Sequence, residues 1–228
     1  MPCSTTSESQ NHRDSEDSAV TARGMARRER LLDAARDVFL EQGYAGASVN
    51  DVVARAGGSL ATLYKQFGNK EGLFTAAMER HISTAWSVLE EGRRDHQAPG
   101  EVLYQLGRRM LMLVCDPGVI RLVRSLAFEA ERSPELCELF LTRGPDQTRQ
   151  ALARYLGEQV ASGHLDLDNP REAAGMFMGM LLGEWHINAL LGRDLPLDEA
   201  HCSARAQRCV AIFLSGAAAP KAMPGATD

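Results

Sequence analysis

The sequence predicts an all-α protein, because its composition and its apolar periodicity both favour helices. Hydrophobic residues make up 44% and charged residues 24% of the 228 residues, which is enough apolar material for a globular protein to bury a core. Only nine residues are proline, and long stretches contain neither proline nor glycine. Where apolar side chains recur at every third or fourth position, we expect a helix with one buried face.

The first two helices are predicted from such periodicity and from their end signals. A first helix is expected over 28–42, followed by Gly43 where a left-handed cap is wanted. A second should begin at Ser48, which forms a capping-box pattern with Asp51, and end at Gly57.

A third and a fourth helix follow closely. The third is predicted over 60–67 with Ser59 as its N-cap, and the fourth begins at Lys70, after the N-cap Asn69, and continues to about residue 91. Two short helices separated by a tight glycine turn form a helix-turn-helix, whose second helix enters the DNA major groove. Leu63 and Phe67 would then pack inward.

Charge is distributed unevenly along the chain. The net charge is −5, which by itself disfavours a nucleic-acid partner. Between Ala22 and Lys70, however, eight basic and five acidic residues give +3. A small basic module therefore precedes a larger acidic body, which indicates a nucleic-acid partner for the module alone.

The stretch from Arg30 to Phe74 resembles the DNA-binding domain of the TetR family of transcriptional regulators. It carries "LLDAA", "F...GY" and "TLY..F..KE.LF". The resemblance implies a three-helix helix-turn-helix domain followed by a larger helical bundle that dimerises. It further implies a homodimeric repressor of operator DNA, released by a small hydrophobic effector. The domains expected are a disordered tail at 1–22, the DNA-binding domain at 23–69, the effector and dimerisation domain at 70–216 and a flexible tail at 217–228; helix 70–91 links the two domains.

The resemblance also assigns the DNA contacts. Thr62, Lys65 and Gln66 would face bases or nearby phosphates, and Tyr64 would bind a phosphate through its hydroxyl. Leu60 stands where many relatives have a basic or polar residue, and it would offer an apolar contact to a thymine methyl group. The residues expected at the DNA are Ser48, Ser59, Leu60, Ala61, Thr62, Tyr64, Lys65, Gln66 and Lys70.

The acidic body is predicted to contain five helical segments, at 101–115, 118–132, 134–162, 170–191 and 197–215. Glycine and proline mark every break between them. Gly144 and Pro145 should kink or split the third segment.

The segment from Ala173 to Leu191 is apolar all round, which indicates a helix buried on every side. Glu184, His186 and Asn188 interrupt it and argue against a membrane span. A row of glycines would let a second helix approach closely. The residues predicted at a dimer interface, formed with 197–215, are Gly175, Gly179, Gly183 and His186.

An effector pocket is predicted from flexible methionines and flat aromatic residues, which suit an adaptable apolar cavity. Ordinary core packing is the alternative role for most of them. The candidates are Trp86, Met110, Phe128, Met176, Phe177, Met180 and Trp185. No catalytic residue, metal site, cofactor or membrane partner is predicted.

Two other functions remain as alternatives. An enzyme using Glu184 and His186 has little support, since the chain contains no P-loop, G-x-S-x-G, H-E-x-x-H or dinucleotide glycine pattern. An architectural DNA binder or adaptor without a ligand is the other alternative. The first 22 residues lack the apolar segment of a signal peptide, and the five cysteines form no C-x-x-C pair, so we expect reduced thiols in a cytoplasmic protein.

Overall fold

The computed structural model describes the backbone of residues 6–193 and 198–217, with side chains from 23 to 193 and from 198 to 216. Helices and no strands occur in these residues, which confirms the all-α prediction. In chain order they are α1 (Thr6–Gly46), α2 (Val49–Ala56), α3 (Leu60–Phe67), α4 (Lys70–Arg94), α5 (Pro99–Val114), α6 (Pro117–Glu129), α7 (Pro134–Arg143), α8 (Pro145–Ala161), α9 (Pro170–Leu190) and α10 (Glu199–Ala217).

The first helix is longer than predicted. The sequence predicted a disordered tail over 1–22, whereas the backbone is helical from Thr6 onward. No proline interrupts residues 6–46, and a helix that has nucleated gains one hydrogen bond for each residue added. Residues 1–5 lie outside the described chain. So does the tail predicted at 217–228, apart from Ala217 at the end of α10.

The helix-turn-helix forms where its end signals predicted it. The Ser48 hydroxyl accepts a hydrogen bond from Asn50 N at 3.1 Å, and the Ser59 hydroxyl accepts one from Thr62 N at 3.3 Å. Asp51 does not complete the predicted capping box, because its carboxylate accepts a hydrogen bond from Gln42 Nε2 at 3.3 Å instead. Gly57 ends α2 with a φ of 68°, a left-handed conformation that glycine adopts without strain.

Two apolar cores hold the chain together. The first joins α1, α2, α3 and the start of α4, and it also receives Leu122 and Leu126 from α6 and Leu136 from α7. The second joins the later part of α4 to α5, α8, α9 and α10. Since α4 contributes to both cores, a shift of this helix in one core must be accommodated in the other.

Helix breaks in the carboxy-terminal part of the chain occur at glycine and proline residues. Gly144 and Pro145 separate α7 from α8, as predicted. Gly183 was not predicted to break α9, yet its φ of 42° and ψ of −137° place a kink inside that helix. Within the described ranges, no helix has the length and hydropathy that a membrane crossing requires.

Candidate nucleic-acid interface and ligand cavity

Helix α3 presents one side to the first core and the other to solvent. Leu63 is fully buried, and Phe67 packs against the same core. Leu60 is 37% and Tyr64 46% exposed, on the side of α3 that faces away from the core. Of the other residues predicted at the DNA, Ser59, Ala61, Lys65 and Gln66 are exposed, and Ser48, Thr62 and Lys70 are half-buried.

Lys70 begins α4 as predicted, but its ammonium turns back to the junction of α1 and α2. Nζ donates to the Ala45 carbonyl at 3.5 Å and lies 4.5 Å from the centre of the Tyr44 ring. Burial lowers the pKa of the Lys70 ammonium and raises that of the Tyr44 hydroxyl to about 12. A phosphate contact by Lys70 stays a prediction, and it would require the side chain to leave this position.

Several arginines of the basic module are used within the protein. Arg55 forms two hydrogen bonds to the Glu41 carboxylate, at 2.8 and 2.7 Å, and Arg36 binds Asp37. Arg80 of α4 binds both Glu29 and Asp33. The pairs of Arg55 and Arg80 link α1 to α2 and to α4, whereas Arg36 and Asp37 both belong to α1. The guanidinium groups involved are less available to DNA.

A second set of arginines lies exposed in the middle of α1, and sequence reasoning did not include it in the DNA site. The Arg28 guanidinium lies 5.2 Å from the centre of the Phe67 ring, which places it beside the end of α3. The charge density of "RGMARRER" was a signal that could have identified the set. Its members are Arg23, Arg27, Arg28 and Arg30, which form no salt bridge with another described residue.

The body contains a cavity of about 570 Å³ between α4, α5, α6, α7, α8 and α9. This volume is within the range of sites that bind small molecules. Met78 and Ile82 of α4 form one wall, and Leu122 and Val123 of α6 form another. The wall is mostly apolar, and four of its side chains are polar: His81, Thr148, Arg149 and His186.

Two of these polar side chains are already bonded within the protein. The Thr148 hydroxyl donates to the Gly144 carbonyl at 3.1 Å, and Arg149 pairs with Asp146. His81 Nε2 and His186 Nδ1, in contrast, are buried without a hydrogen-bond partner among the described residues. Buried polar atoms in native proteins are rarely left in this state, which makes the two imidazoles the distinctive chemistry of the cavity.

Most of the residues predicted to line an effector pocket lie elsewhere. Met110 does line the cavity. Phe177 packs against Phe213 inside the second core, and Trp185 lies under the Arg205 guanidinium. Phe128 and Met176 are on the surface, 84% and 58% exposed, and Trp86 and Met180 pack against the second core. A helix that is apolar all round gives no indication of which face meets a cavity. The residues predicted on α9 do not line this one, and their role at an effector stays a prediction.

The glycine row on α9 faces the cavity in this chain. Gly175 and Gly179 have no atom within 4 Å of where a Cβ would lie, so the row opens space in the wall. Gly183 lies at the kink, and His186 follows one turn later in the same wall. The interface role of these four residues stays a prediction.

Helix α6 connects the cavity to the DNA-binding module. Its Arg124 donates from Nε to the Leu190 carbonyl and from Nη2 to the Ala189 carbonyl, both at 2.6 Å, at the end of α9. Its Arg121 donates to the Leu40 and Glu41 carbonyls of α1, at 2.9 and 3.2 Å. Two arginines on one helix thus bind carbonyls near the carboxyl ends of two others, α1 of the DNA-binding module and α9 of the cavity wall.

Helix α6 also supports the bend in α1. Gly43 there has a φ of 71°, and a Cβ at this position would lie 2.8 Å from Ser125. The Ser125 hydroxyl accepts a hydrogen bond from Ala45 N at 3.4 Å. This close approach requires glycine at position 43 and holds the α1–α2 junction against α6.

The two cavity histidines should make stability depend on pH. Burial lowers the pKa of both, and nearby Arg36 lowers that of His81 further. An unfolded histidine has a pKa of about 6.5, so below that pH the unfolded chain takes up protons that the folded one does not. The stabilisation is therefore complete above pH 6.5 and is lost as the pH falls. We expect a His81→Gln, His186→Gln variant to lose less unfolding free energy than the wild type between pH 7.5 and 5.5 in urea titrations.

The control for this measurement is His96→Asn. His96 is exposed and has a φ of 50°, a conformation that asparagine tolerates. This variant should keep the pH dependence of the wild type. An unchanged pH dependence in the double variant would contradict the assignment.

Comparison with known proteins agrees with this arrangement. Residues 31–77 match a model of the tetR family of bacterial regulatory proteins, and residues 101–216 match the C-terminal domain of AefR-like transcriptional repressors. YvkB of Bacillus subtilis (strain 168), an uncharacterized HTH-type transcriptional regulator, is 26% identical over 68% of this chain and 79% of its own length.

Two solved structures are similar along nearly their whole length. The flavonoid-responsive regulator FrrA is 32% identical, with a TM-score of 0.57, and the match covers 86% of this chain and 98% of FrrA. A putative TetR-family regulator from Mesorhizobium loti MAFF303099 is 24% identical, with a TM-score of 0.72. The match covers 86% of this chain and 99% of that one, and at this identity it supports the fold alone. The family model for the body alone spans half of the sequence. With a helix-turn-helix at its amino terminus and an AefR-like carboxy-terminal domain, the chain belongs to the TetR family of transcriptional regulators.

Proposed function

We propose that the chain acts as a homodimeric repressor that leaves its operator when a small, largely apolar effector occupies the cavity. One observation carries the proposal: α4 begins beside α3, at the DNA face, and lines the cavity with Met78, His81 and Ile82. A ligand that binds one position of α4 better than another shifts the population toward that position. The response of FrrA to flavonoids supports a ligand-dependent role for this chain.

Dimerisation is supported by apolar side chains on the surface of the body. Met176 of α9 is 58% exposed and Ile212 of α10 is 65% exposed, on the two helices from which the sequence predicts the interface. A dimer would place two copies of α3 in successive major grooves about 34–36 Å apart. Sedimentation should show a dimer at micromolar concentration, and a monomer under these conditions would contradict the proposal.

Footprinting and band shifts on the intergenic DNA that flanks the gene test whether α3 binds DNA. Both are run at one fixed salt concentration, because affinity for DNA depends on salt. Gln66→Ala removes an amide that suits an adenine edge, so we expect operator affinity to fall by about 1–3 kcal/mol while affinity for unrelated DNA stays nearly the same. Tyr64→Phe removes a phosphate contact and should weaken both kinds of DNA alike.

The control is Gln150→Ala, because Gln150 is an exposed glutamine of α8 in the body. It should bind operator DNA as the wild type does. If no palindromic site is protected, either beside the gene or in a genomic selection, the repressor proposal fails.

A further inference from the structure

The chemistry of the cavity wall narrows the class of effector. We propose that the ligand is an uncharged aromatic molecule with hydroxyl groups, and that His81 and His186 bind those groups through their ring nitrogens. This inference rests on the effector site proposed above. It adds the ligand class and the two residues that select it.

The absence of a spare charge in the wall argues for an uncharged ligand. Among the lining residues that the structure describes, Arg149 is the one with a permanent charge, and it pairs with Asp146. A carboxylate placed among the apolar side chains, away from the half-exposed Arg149, would lose its hydration without gaining a cation, which is unfavourable. The imidazoles do not supply that cation, since burial lowers the pKa of both and favours their neutral form.

Hydroxyl groups match what the two histidines offer. A neutral imidazole has one N–H donor and one nitrogen acceptor, and a hydroxyl can satisfy either. His81 Nε2 and His186 Nδ1 lack partners among the described residues, whereas the Thr148 hydroxyl in the same wall already has one. Both nitrogens are buried in this state, so a ligand reaches them once the imidazole rings turn toward the cavity, and it then gains hydrogen bonds without breaking any in the protein.

The apolar part of the wall suits a flat ring. Met78, Met110 and Met178 come from three different helices, and Phe140 from a fourth. Thioether sulfurs make favourable contacts with aromatic rings, and unbranched methionines adapt to the outline of the ligand. The open row at Gly175 and Gly179 leaves space on the α9 side.

The positions of the two histidines also connect binding to regulation. His81 lies on α4, whose first turn adjoins the DNA face, and His186 lies on α9 beyond the kink at Gly183. A molecule bonded to both would tie α4 to α9. Its affinity would then depend on the distance between these helices, which is the property that a two-state regulator requires.

The test uses calorimetry on the full chain with three probes: naringenin, a flavanone with three hydroxyls; flavone, which has the fused rings and the phenyl ring without hydroxyls; and dodecanoate, an apolar chain with a carboxylate. We expect naringenin to bind about tenfold more tightly than flavone, and dodecanoate to bind more weakly than naringenin. Equal affinity for naringenin and flavone, tighter binding of dodecanoate, or no binding of naringenin would overturn the proposal.

Substitutions at His81 and His186 test whether these two residues bind the hydroxyl groups of the ligand. His81→Leu and His186→Leu should each weaken naringenin binding about fivefold and leave flavone binding within about twofold. Gln in place of either His keeps a hydrogen-bonding group and should recover part of the loss. The control Gln150→Ala removes a polar side chain of α8 that is exposed and lies outside the cavity wall, so it should leave the preference for naringenin over flavone unchanged. An equal loss for both probes in the Leu variants would show that the histidines only shape the cavity.

Band shifts with the same probes keep this inference separate from the proposed function. If naringenin binds with the expected selectivity but does not release the operator, the ligand class holds and the effector role fails. If a probe releases the operator and the histidine variants do not distinguish naringenin from flavone, the effector role holds and the ligand class fails.

Discussion

Leu63→Ala should lower the free energy of unfolding of the amino-terminal core by about 2–5 kcal/mol and abolish operator binding. Leu63 is fully buried and anchors the eight-residue helix α3 to the core that α1, α2 and α4 share. A helix this short is not stable by itself, so its position depends on such an anchor. Urea unfolding followed by circular dichroism measures the loss, and band shifts measure the effect on DNA binding.

Leu60→Ala is the matched control, because it changes the same residue type on the same helix. Leu60 is 37% exposed, so its removal should lower stability by about 1 kcal/mol, clearly less than the removal of Leu63. Any change in operator affinity in this variant would then report a contact with DNA. Comparable destabilisation by both variants would contradict the orientation of α3 described above.

Ligand binding distinguishes local loosening of α3 from a wider loss of structure in the same experiment. Leu63 does not line the cavity, although Met78, Leu122 and Phe140 of the first core do. If the damage stays local to α3, the Leu63→Ala variant should still bind a cavity ligand while it fails to bind DNA. A loss of both activities together would show that the damage spreads through the first core to the cavity wall.

The DNA-binding module was predictable because its signals are local. Ser48, Ser59 and Asn69 each accept a backbone hydrogen bond at the start of the helix they were predicted to cap. In α3 the spacing of Leu63 and Phe67 fixes the buried face. Caps, glycine turns and a narrow apolar stripe act within a few residues, so the sequence specifies them without knowledge of the rest of the fold.

The cavity was not predictable in the same way. In α9 apolar residues occur all round, so the sequence does not distinguish Phe177, which is buried against Phe213, from its neighbour Met178, which lines the cavity. The kink at Gly183 changes the direction of the helix before His186, and nothing in the local sequence indicates that change. His81 showed no ligand spacing, because its partner in the cavity lies on a helix about a hundred residues further along the chain.

The arginine contacts of α6 depend even more on tertiary structure. Arg121 and Arg124 appear in the sequence as ordinary charged residues of an amphipathic helix. In the structure their guanidinium groups bind carbonyls at the carboxyl ends of α1 and α9, where the helix dipole favours a cation. They connect parts of the chain that lie more than sixty residues away in sequence.

Arg124→Met should uncouple ligand binding from DNA release. The substitution keeps an unbranched apolar stem but removes both hydrogen bonds to the end of α9, while the walls that Val119, Leu122 and Val123 contribute to the cavity stay in place. We expect naringenin to bind with little change in affinity. The factor by which it weakens operator binding should fall from a typical coupling of about 5–150-fold toward one.

Arg132→Met is the control for this variant. Arg132 follows the end of α6, is exposed, and carries the same side chain. Its replacement should leave both binding and release as they are in the wild type. Operator affinity measured with and without naringenin, and naringenin affinity measured with and without operator, must give the same coupling factor, because linkage between two binding sites is reciprocal. Full release by naringenin in Arg124→Met would show that α4 alone transmits the effect, since α4 also reaches from the cavity to α3 without passing through α6.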